Sequence, residues 1–296
     1  KNFIRMKFFL ILVLCCLSTG LCAQKDTMKV ISYNIWMGFD FRKDVERQNK
    51  VINWLVANKP DVVALQELCG YTEEKLLEDA KRWGHNYAIL LKDECFSVGL
   101  TSVKPIVLKE KATEDLWHGM LHCETFGVDF FVVHLSPADR DFRIKESKVI
   151  LSKIASISNN SFMVLGDFNA QSPFDADRDI EYPVALETKR LGDFKNEKYN
   201  NLLDNEFDYS VMASFIASPL IDVIQRFVQS EERFTFPTKL RSGPGLSQND
   251  RRRIDFIMVS RELAKKCSNS EVCNKEETTL FSDHYPVMAE FELDVK

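Results

Sequence analysis

The chain has 296 residues, 45% of them hydrophobic and 28% charged, with a formal net charge of −5. This is an ordinary globular balance with enough chain to bury a large core. The acidic sign argues against tight, non-specific binding of polyanions at long range and leaves room for a local basic groove.

The first 23 residues read as a secretory signal peptide. Lys1, Arg5 and Lys7 precede an apolar run over 8–17, and small and polar residues lead to Ala23 and Gln24. That run is short of the ~20 apolar residues a membrane span needs. An uncleaved anchor is the alternative. Cys22 invites a lipid anchor, but Leu21 before it is bulky where a small residue is expected. Loss of Lys1, Arg5 and Lys7 takes the net charge from −5 to −8. No later stretch approaches membrane length, so a soluble protein, secreted or periplasmic, is expected, with a monomer favoured. There is no Pro/Gly/Ser-rich linker and no repeat of fixed period, so 24–296 is expected to form one domain.

Along that domain, apolar runs rich in β-branched residues and phenylalanine predict strands over 30–33, 62–65, 87–91, 96–101, 120–125, 128–133, 162–165, 254–259 and 287–293. Helical spacing predicts helices over 42–58 (stopped by Pro60), 73–82 (with Thr72 as N-cap) and 140–157. The polar segments 195–209 and 240–252 read as loops. Strands interleaved with helices say α/β or α+β. The strand-rich run 87–133 favours antiparallel pairing, and hence sheets packed as a sandwich.

Removing the leader takes Cys15, Cys16 and Cys22 with it and leaves five of the eight cysteines. In an oxidising compartment some should pair. Cys267 and Cys273, around a short polar segment, are the first candidates and Cys95 with Cys123 the second; an odd number leaves at least one thiol free. No CxxC pair or Cys/His cluster suggests structural zinc.

The chemistry gathers at strand ends. VISYN ends in Asn34, VVALQE in Glu67, FFVVH in His134, and FMVLGDFN in Asp167 and Asn169. Two later segments reverse the order: RIDFIMV begins with Asp255 and SDHYPVMAEF with Asp283 and His284. If the last two strands run antiparallel to the first four, all these groups meet at one edge. Isolated buried charge is expensive, so six such placements together point to function, although any one alone is better explained by solvation.

The ordered set SYNIW, LQE, VVHLSP, GDFN, RIDFI and SDHYPV resembles the endonuclease/exonuclease/phosphatase superfamily over nearly the whole mature chain. The resemblance implies an α/β four-layer sandwich of the deoxyribonuclease-like type, with two packed mixed sheets flanked by helices. It implies that Asn34 and Glu67 hold a divalent cation, with Asp283 near it or near a second one. It further implies that Asp167 activates water, Asn169 binds phosphate oxygens, Asp255 orients His284 toward the phosphoryl group, and His134 stands near the scissile phosphate. The expected cofactor is Mg²⁺, with Mn²⁺ or Ca²⁺ as alternatives, because a hard, oxygen-liganded cation neutralises phosphoester charge with few protein ligands. Arg143 fits a place where relatives carry arginine, or else pairs with Glu146. Arg251, Arg252 and Arg253, with Lys239 and Arg241, either line a substrate groove or are solvated. Trp36, Phe39 and Phe41 are expected in the core in preference to an aromatic wall.

HExxH, GxSxG and GxxxxGK[ST] are absent. Asp175, Asp177 and Asp179 imitate the start of a calcium loop but lack its glycine and its glutamate, which leaves a solvated acidic loop. The expected function is metal-dependent hydrolysis of phosphodiesters, in nucleic acid or small molecules. The alternatives are a phosphatase or phospholipase acting on inositol phosphates or sphingomyelin, and a non-catalytic binding protein on the same fold. An amidase would need more histidines than the two of five judged well placed.

Overall fold

The computed structural model describes residues 26–241 and 250–293. The signal peptide expected over 1–23, and most of the loop expected over 240–252, lie outside the described residues.

Two six-stranded mixed sheets stack face to face. In chain order the strands are β1 (Asp26–Asn34), β2 (Val62–Gln66), β3 (Tyr87–Leu90), β4 (Gly99–Ser102), β5 (Val107–Ala112), β6 (Met120–Thr125), β7 (Val128–His134), β8 (Phe162–Asp167), β9 (Ile221–Asp222), β10 (Asp255–Val259), β11 (Cys267–Val272) and β12 (Val287–Leu293). One sheet has the order β11-β12-β1-β2-β4-β3 and the other β5-β6-β7-β8-β10-β9. At the centre of each lies a parallel pair, β1 with β2 and β7 with β8; the remaining pairs are antiparallel. This is the expected four-layer sandwich, and the 87–133 run is antiparallel as expected, divided between the two sheets.

Strand alternation decides which residues face inward. Met28, Val30, Val62 and Ala64 of one sheet pack against Phe130, Val132, Met163, Leu165, Ile257 and Val259 of the other. The opposite parity serves the outer faces. Ile31, Tyr33, Val63 and Leu65 pack under helices α2 (Val45–Asn58) and α3 (Glu73–Arg82). Phe131, Val133, Val164, Phe256 and Met258 pack under α4 (Arg140–Ser156) and α7 (Ser210–Ala217). The caps are local: Asp44, Thr72 and Asp139 accept the backbone N–H of Arg47, Lys75 and Phe142. α1 (Trp36–Arg42) is a left-handed turn, with Met37 through Phe41 at φ 51° to 58°. Phe39 is in the core as expected, whereas Phe41 is 43% exposed.

The cysteine pairing differs from expectation. Cys69 and Cys95 form the disulfide, and Cys123, Cys267 and Cys273 are free and buried. Cys267 begins the edge strand β11 and Cys273 follows its end, so the "loop" between them is extended chain. Six strand residues span ~20 Å, well beyond the ~7 Å Cα separation a disulfide tolerates. Cys123 faces the core between the sheets, where burial pushes its thiol up to about 12. The Cys69–Cys95 bridge closes a separation of 26 residues, which by loop entropy stabilises the fold by ~3.5 kcal/mol. Cys95→Ser is expected to lose about 2–4 kcal/mol in denaturant unfolding, and an unchanged midpoint would contradict that.

Candidate active site

The inward parity that builds the core continues to the strand ends and there turns polar. Asn34 ends β1, His134 ends β7, Asp167 ends β8 and Asp255 begins β10; the last three stand two residues from an inward apolar position, and Asn34 stands four from inward Val30. His134 and Asp255 are the direct cross-strand partners of Asp167 on either side. Asp283 and His284 arrive just before β12, which runs antiparallel to β1. The six segments therefore converge on one edge, as their reversed order requires.

Asp167 is the hub. Its Oδ2 accepts the Asn34 amide from the other sheet at 3.1 Å and lies 3.6 Å from His134 Nε2 and 3.7 Å from His284 Nε2. Its Oδ1 accepts the Asn169 backbone N–H at 2.9 Å. Asn169 sits at φ 48°, a left-handed conformation asparagine tolerates, and donates its amide to Leu135 O at 3.0 Å. The glycine before Asp167 is obligatory. Gly166 has φ 142°, and a Cβ there would stand 1.9 Å from the Val133 carbonyl oxygen.

Glu67 follows β2 at φ 60°. Its two oxygens accept Asn34 Nδ2 at 3.1 Å and the Met37 N–H at 2.8 Å, the latter presented by the left-handed turn α1. On the opposite side, Asp255 Oδ2 pairs with His284 Nδ1 at 2.9 Å. Thr235 Oγ1 accepts the N–H groups of Ile254 and Asp255, and Asp255 Oδ1 is buried without a hydrogen-bond partner. Arg241 donates to Asp283 Oδ2 at 2.6 Å, and Ser282 Oγ ties this loop to the Asn34 carbonyl at 2.7 Å.

The electrostatics follow from crowding. Burial works against a charge on His284, but Asp255, Asp167 and Asp283 outweigh it and hold the imidazolium up to about 10. Burial raises Asp167 to about 7, opposed by His284 and reinforced by Asp255. Burial and then Asp283 raise Glu67. His134 is pushed well below the usual histidine range by burial and by His118 and His284, so it is neutral.

This donor set suits a divalent cation. Asp167, Asp255 and His284 offer three buried ligand atoms within 4.8 Å of one another. Glu67 and Asp283 add carboxylates, and a bound cation is the charge that would return the raised carboxylates to their ionised form.

Not every expected residue reaches the cleft. Arg143 is buried, donating to Ser136 O at 2.8 Å and Asn201 Oδ1 at 2.9 Å. Glu146 is not its hydrogen-bond partner; it accepts the N–H groups of Trp117 and Ser136. Arg253 is locked between Asp175 at 2.7 Å and Asp222 at 2.8 Å. Both arginines brace loops behind the site. Nor is the 175–179 segment a solvated loop: Asp175 and Asp179 are buried, and 176–181 is the helix α5 (Ala176–Glu181). Lys239 and Arg251 line a separate hollow.

A cleft of about 360 Å³ opens over Asp167, Asn169, Glu67, His134 and His284. Its walls hold residues the sequence did not single out. His118 stacks on His134 with ring centroids 4.3 Å apart, making a third histidine at the site where two were expected. Trp117, beside it, is 45% exposed. Phe236 touches His284 at 5.0 Å. Helix α6 (Val184–Lys195) contributes Thr188, Lys189 and Gly192. Arg241 and Arg252 belong to the expected groove and do line it.

Comparison with known proteins agrees with the fold. The sequence model of the Endonuclease/Exonuclease/phosphatase family matches residues 31–284. No curated protein matches the chain. Among solved structures, an AP endonuclease from Archaeoglobus fulgidus superposes with a TM-score of 0.61 at 18% identity, over 90% of this chain and 100% of that one. A 3′ phosphatase from Neisseria, bound to a product DNA hairpin, gives 0.63 at 19%, over 89% and 99%. A 3′-5′ exonuclease from Neisseria meningitidis gives 0.63 at 17%, over 90% and 100%.

Proposed function

This chain belongs to the endonuclease/exonuclease/phosphatase family, and from that premise we propose that it is a divalent-metal-dependent phosphoesterase that hydrolyses phosphodiester bonds with water. The observation that carries the reading is the position of Asp167, held by Asn34 and Asn169 and flanked by two histidines.

Asp167, which lines the cleft, takes a proton from the attacking water within hydrogen-bond reach. The Asp255–His284 pair keeps the imidazole charged and fixed in orientation, so its Nε2–H meets negative charge developing on the phosphoryl oxygens. Asn169 orients a non-bridging oxygen, and neutral His134 hydrogen-bonds the ester or the water. Glu67 is the principal metal ligand, with Asn34 positioning it and Asp283 beside it. A divalent cation held there, Mg²⁺ in the first instance, would neutralise phosphoester charge and favour attack by water.

The three superposed structures are nucleic-acid enzymes by their own descriptions, and at 17% to 19% identity they speak for the fold. A walled cleft of about 360 Å³ favours a small phosphodiester or a nucleic-acid terminus over the middle of a duplex. The Cys69–Cys95 disulfide supports the secreted or periplasmic setting.

Hydrolysis of plasmid DNA, RNA, sphingomyelin, inositol phosphates and bis-(p-nitrophenyl) phosphate, compared side by side, tests the substrate reading. Exclusive action on phospholipid headgroups or phosphoinositides would refute it. For the metal reading, Glu67→Ala is expected to raise the Mg²⁺ concentration for half-maximal rate by at least about tenfold, the scale on which metal sites respond to a lost partner. An unchanged titration would remove Glu67 from the ligand set.

A further inference from the structure

Two kinds of side chain line the cleft: aromatic rings, from Phe96, Trp117, His118 and Tyr199, and basic groups, from Lys189, Arg241 and Arg252. Arg252 is set by its backbone, which exchanges hydrogen bonds with Phe236 at 2.7 and 3.0 Å. Its guanidinium lies 4.7 Å from the Phe236 ring centroid and donates to Asp250 at 3.1 Å, while its buried Nε has no partner. Arg241 lies 5.3 Å from the same ring, one amino group on Asp283. Lys189 projects from α6 into the cleft and has no hydrogen-bond or ion-pair partner among the described residues. Lys189 is half-buried; desolvation, then the charges of Arg252 and Arg143, push its ammonium below the usual lysine range, and an anion bound beside it would restore the charge.

Three basic side chains line this one cleft, and one of them keeps a buried donor, Arg252 Nε, without a partner; an anion bound there would satisfy it. Donors suited to a phosphate line the cleft: those of the Lys189 ammonium and the unpartnered Arg252 Nε. Lys189 and Arg252 line the same cleft as Asp167, so such an anion would share it with the hydrolysed ester. The scissile phosphate itself is already served by Asn169 and His284.

We propose that Lys189, Arg252 and Arg241 form a second-anion subsite, and that the preferred substrate is a small phosphoester carrying a second phosphate beside the one attacked. This rests on the hydrolytic reading above and deepens it.

Two esters with one leaving group isolate the effect: the p-nitrophenyl ester of thymidine 5′-phosphate, and the same ester with a 3′-phosphate. The wild-type protein is expected to favour the 3′-phosphorylated ester by at least about tenfold in kcat/KM, the scale of one charge-assisted contact. That ratio, which does not depend on the fraction of enzyme folded, should fall toward one in Lys189→Met and largely return in Lys189→Arg. Hydrolysis of both esters at equal efficiency, or a ratio untouched by Lys189→Met, would overturn the subsite. If neither ester is cleaved, calorimetric binding of thymidine 3′,5′-bisphosphate in EDTA decides. Binding weakened about tenfold by Lys189→Met keeps the subsite and sinks the hydrolytic reading, whereas equal binding, or none, sinks both.

Discussion

Asp167→Ala is expected to lower turnover by at least about a hundredfold, or ~2.7 kcal/mol in barrier, with the fold retained. The substitution removes the carboxylate that receives Asn34 from the other sheet and stands against both His134 and His284. It strands two donors, the Asn34 amide and the Asn169 N–H, which alone would cost ~1–3 kcal/mol of stability. Against that stands the relief of a carboxylate whose burial already pushes it up to about 7, so the stability loss should be small while the rate loss is large. Steady-state kinetics beside a thermal melt separates the two. Near-normal turnover would remove Asp167 from proton transfer.

His284→Ala is expected to cost at least about a hundredfold as well, the usual effect of losing one stabiliser of developing charge. Asp255→Asn should cost less, since the ring remains but loses the charge that favours its imidazolium and fixes its tautomer. Because Asp255 acts through His284, the double variant should be no slower than His284→Ala by more than a small factor. Additive losses would mean that Asp255 meets the substrate, the metal or the water directly. Its second oxygen, buried and unpartnered, makes that a real contest.

Much of the site was legible because strand parity is a strict code. An inward apolar position at 132, 165 or 257 obliges 134, 167 or 255 to face the same way, and the reversed order of RIDFI and SDHYPV implies the opposite strand direction. Among the edge strands β3 was legible over 87–91, whereas β5 and β11 were hidden. β5 is largely exposed along its length and β11 alternates serine, asparagine and glutamate, so neither has the apolar signature of a central strand. Missing β11 is what made Cys267 and Cys273 look like a loop pair. The true bridge joins Cys69, just past Glu67, to Cys95, a proximity created by β2 and β4 pairing across the chain.

Charge was the least readable property. The arginines at 251, 252 and 253 are consecutive, yet they go to a separate hollow, the cleft wall and a buried ion-pair network respectively. Lys189 and Trp117 carry no motif, and their place depends on α6 and on the Glu146 carboxylate that fixes the Trp117 backbone. His118 would have been found only by knowing that β6 and β7 are hairpin neighbours, which sets it beside His134.

The most direct test is hydrolysis of bis-(p-nitrophenyl) phosphate by the purified protein, after EDTA and again after Mg²⁺ is restored. The account predicts turnover that EDTA abolishes, that Mg²⁺ restores, and that Asp167→Ala lacks under both conditions. Turnover indifferent to EDTA, or equal in the wild-type protein and Asp167→Ala, would contradict it.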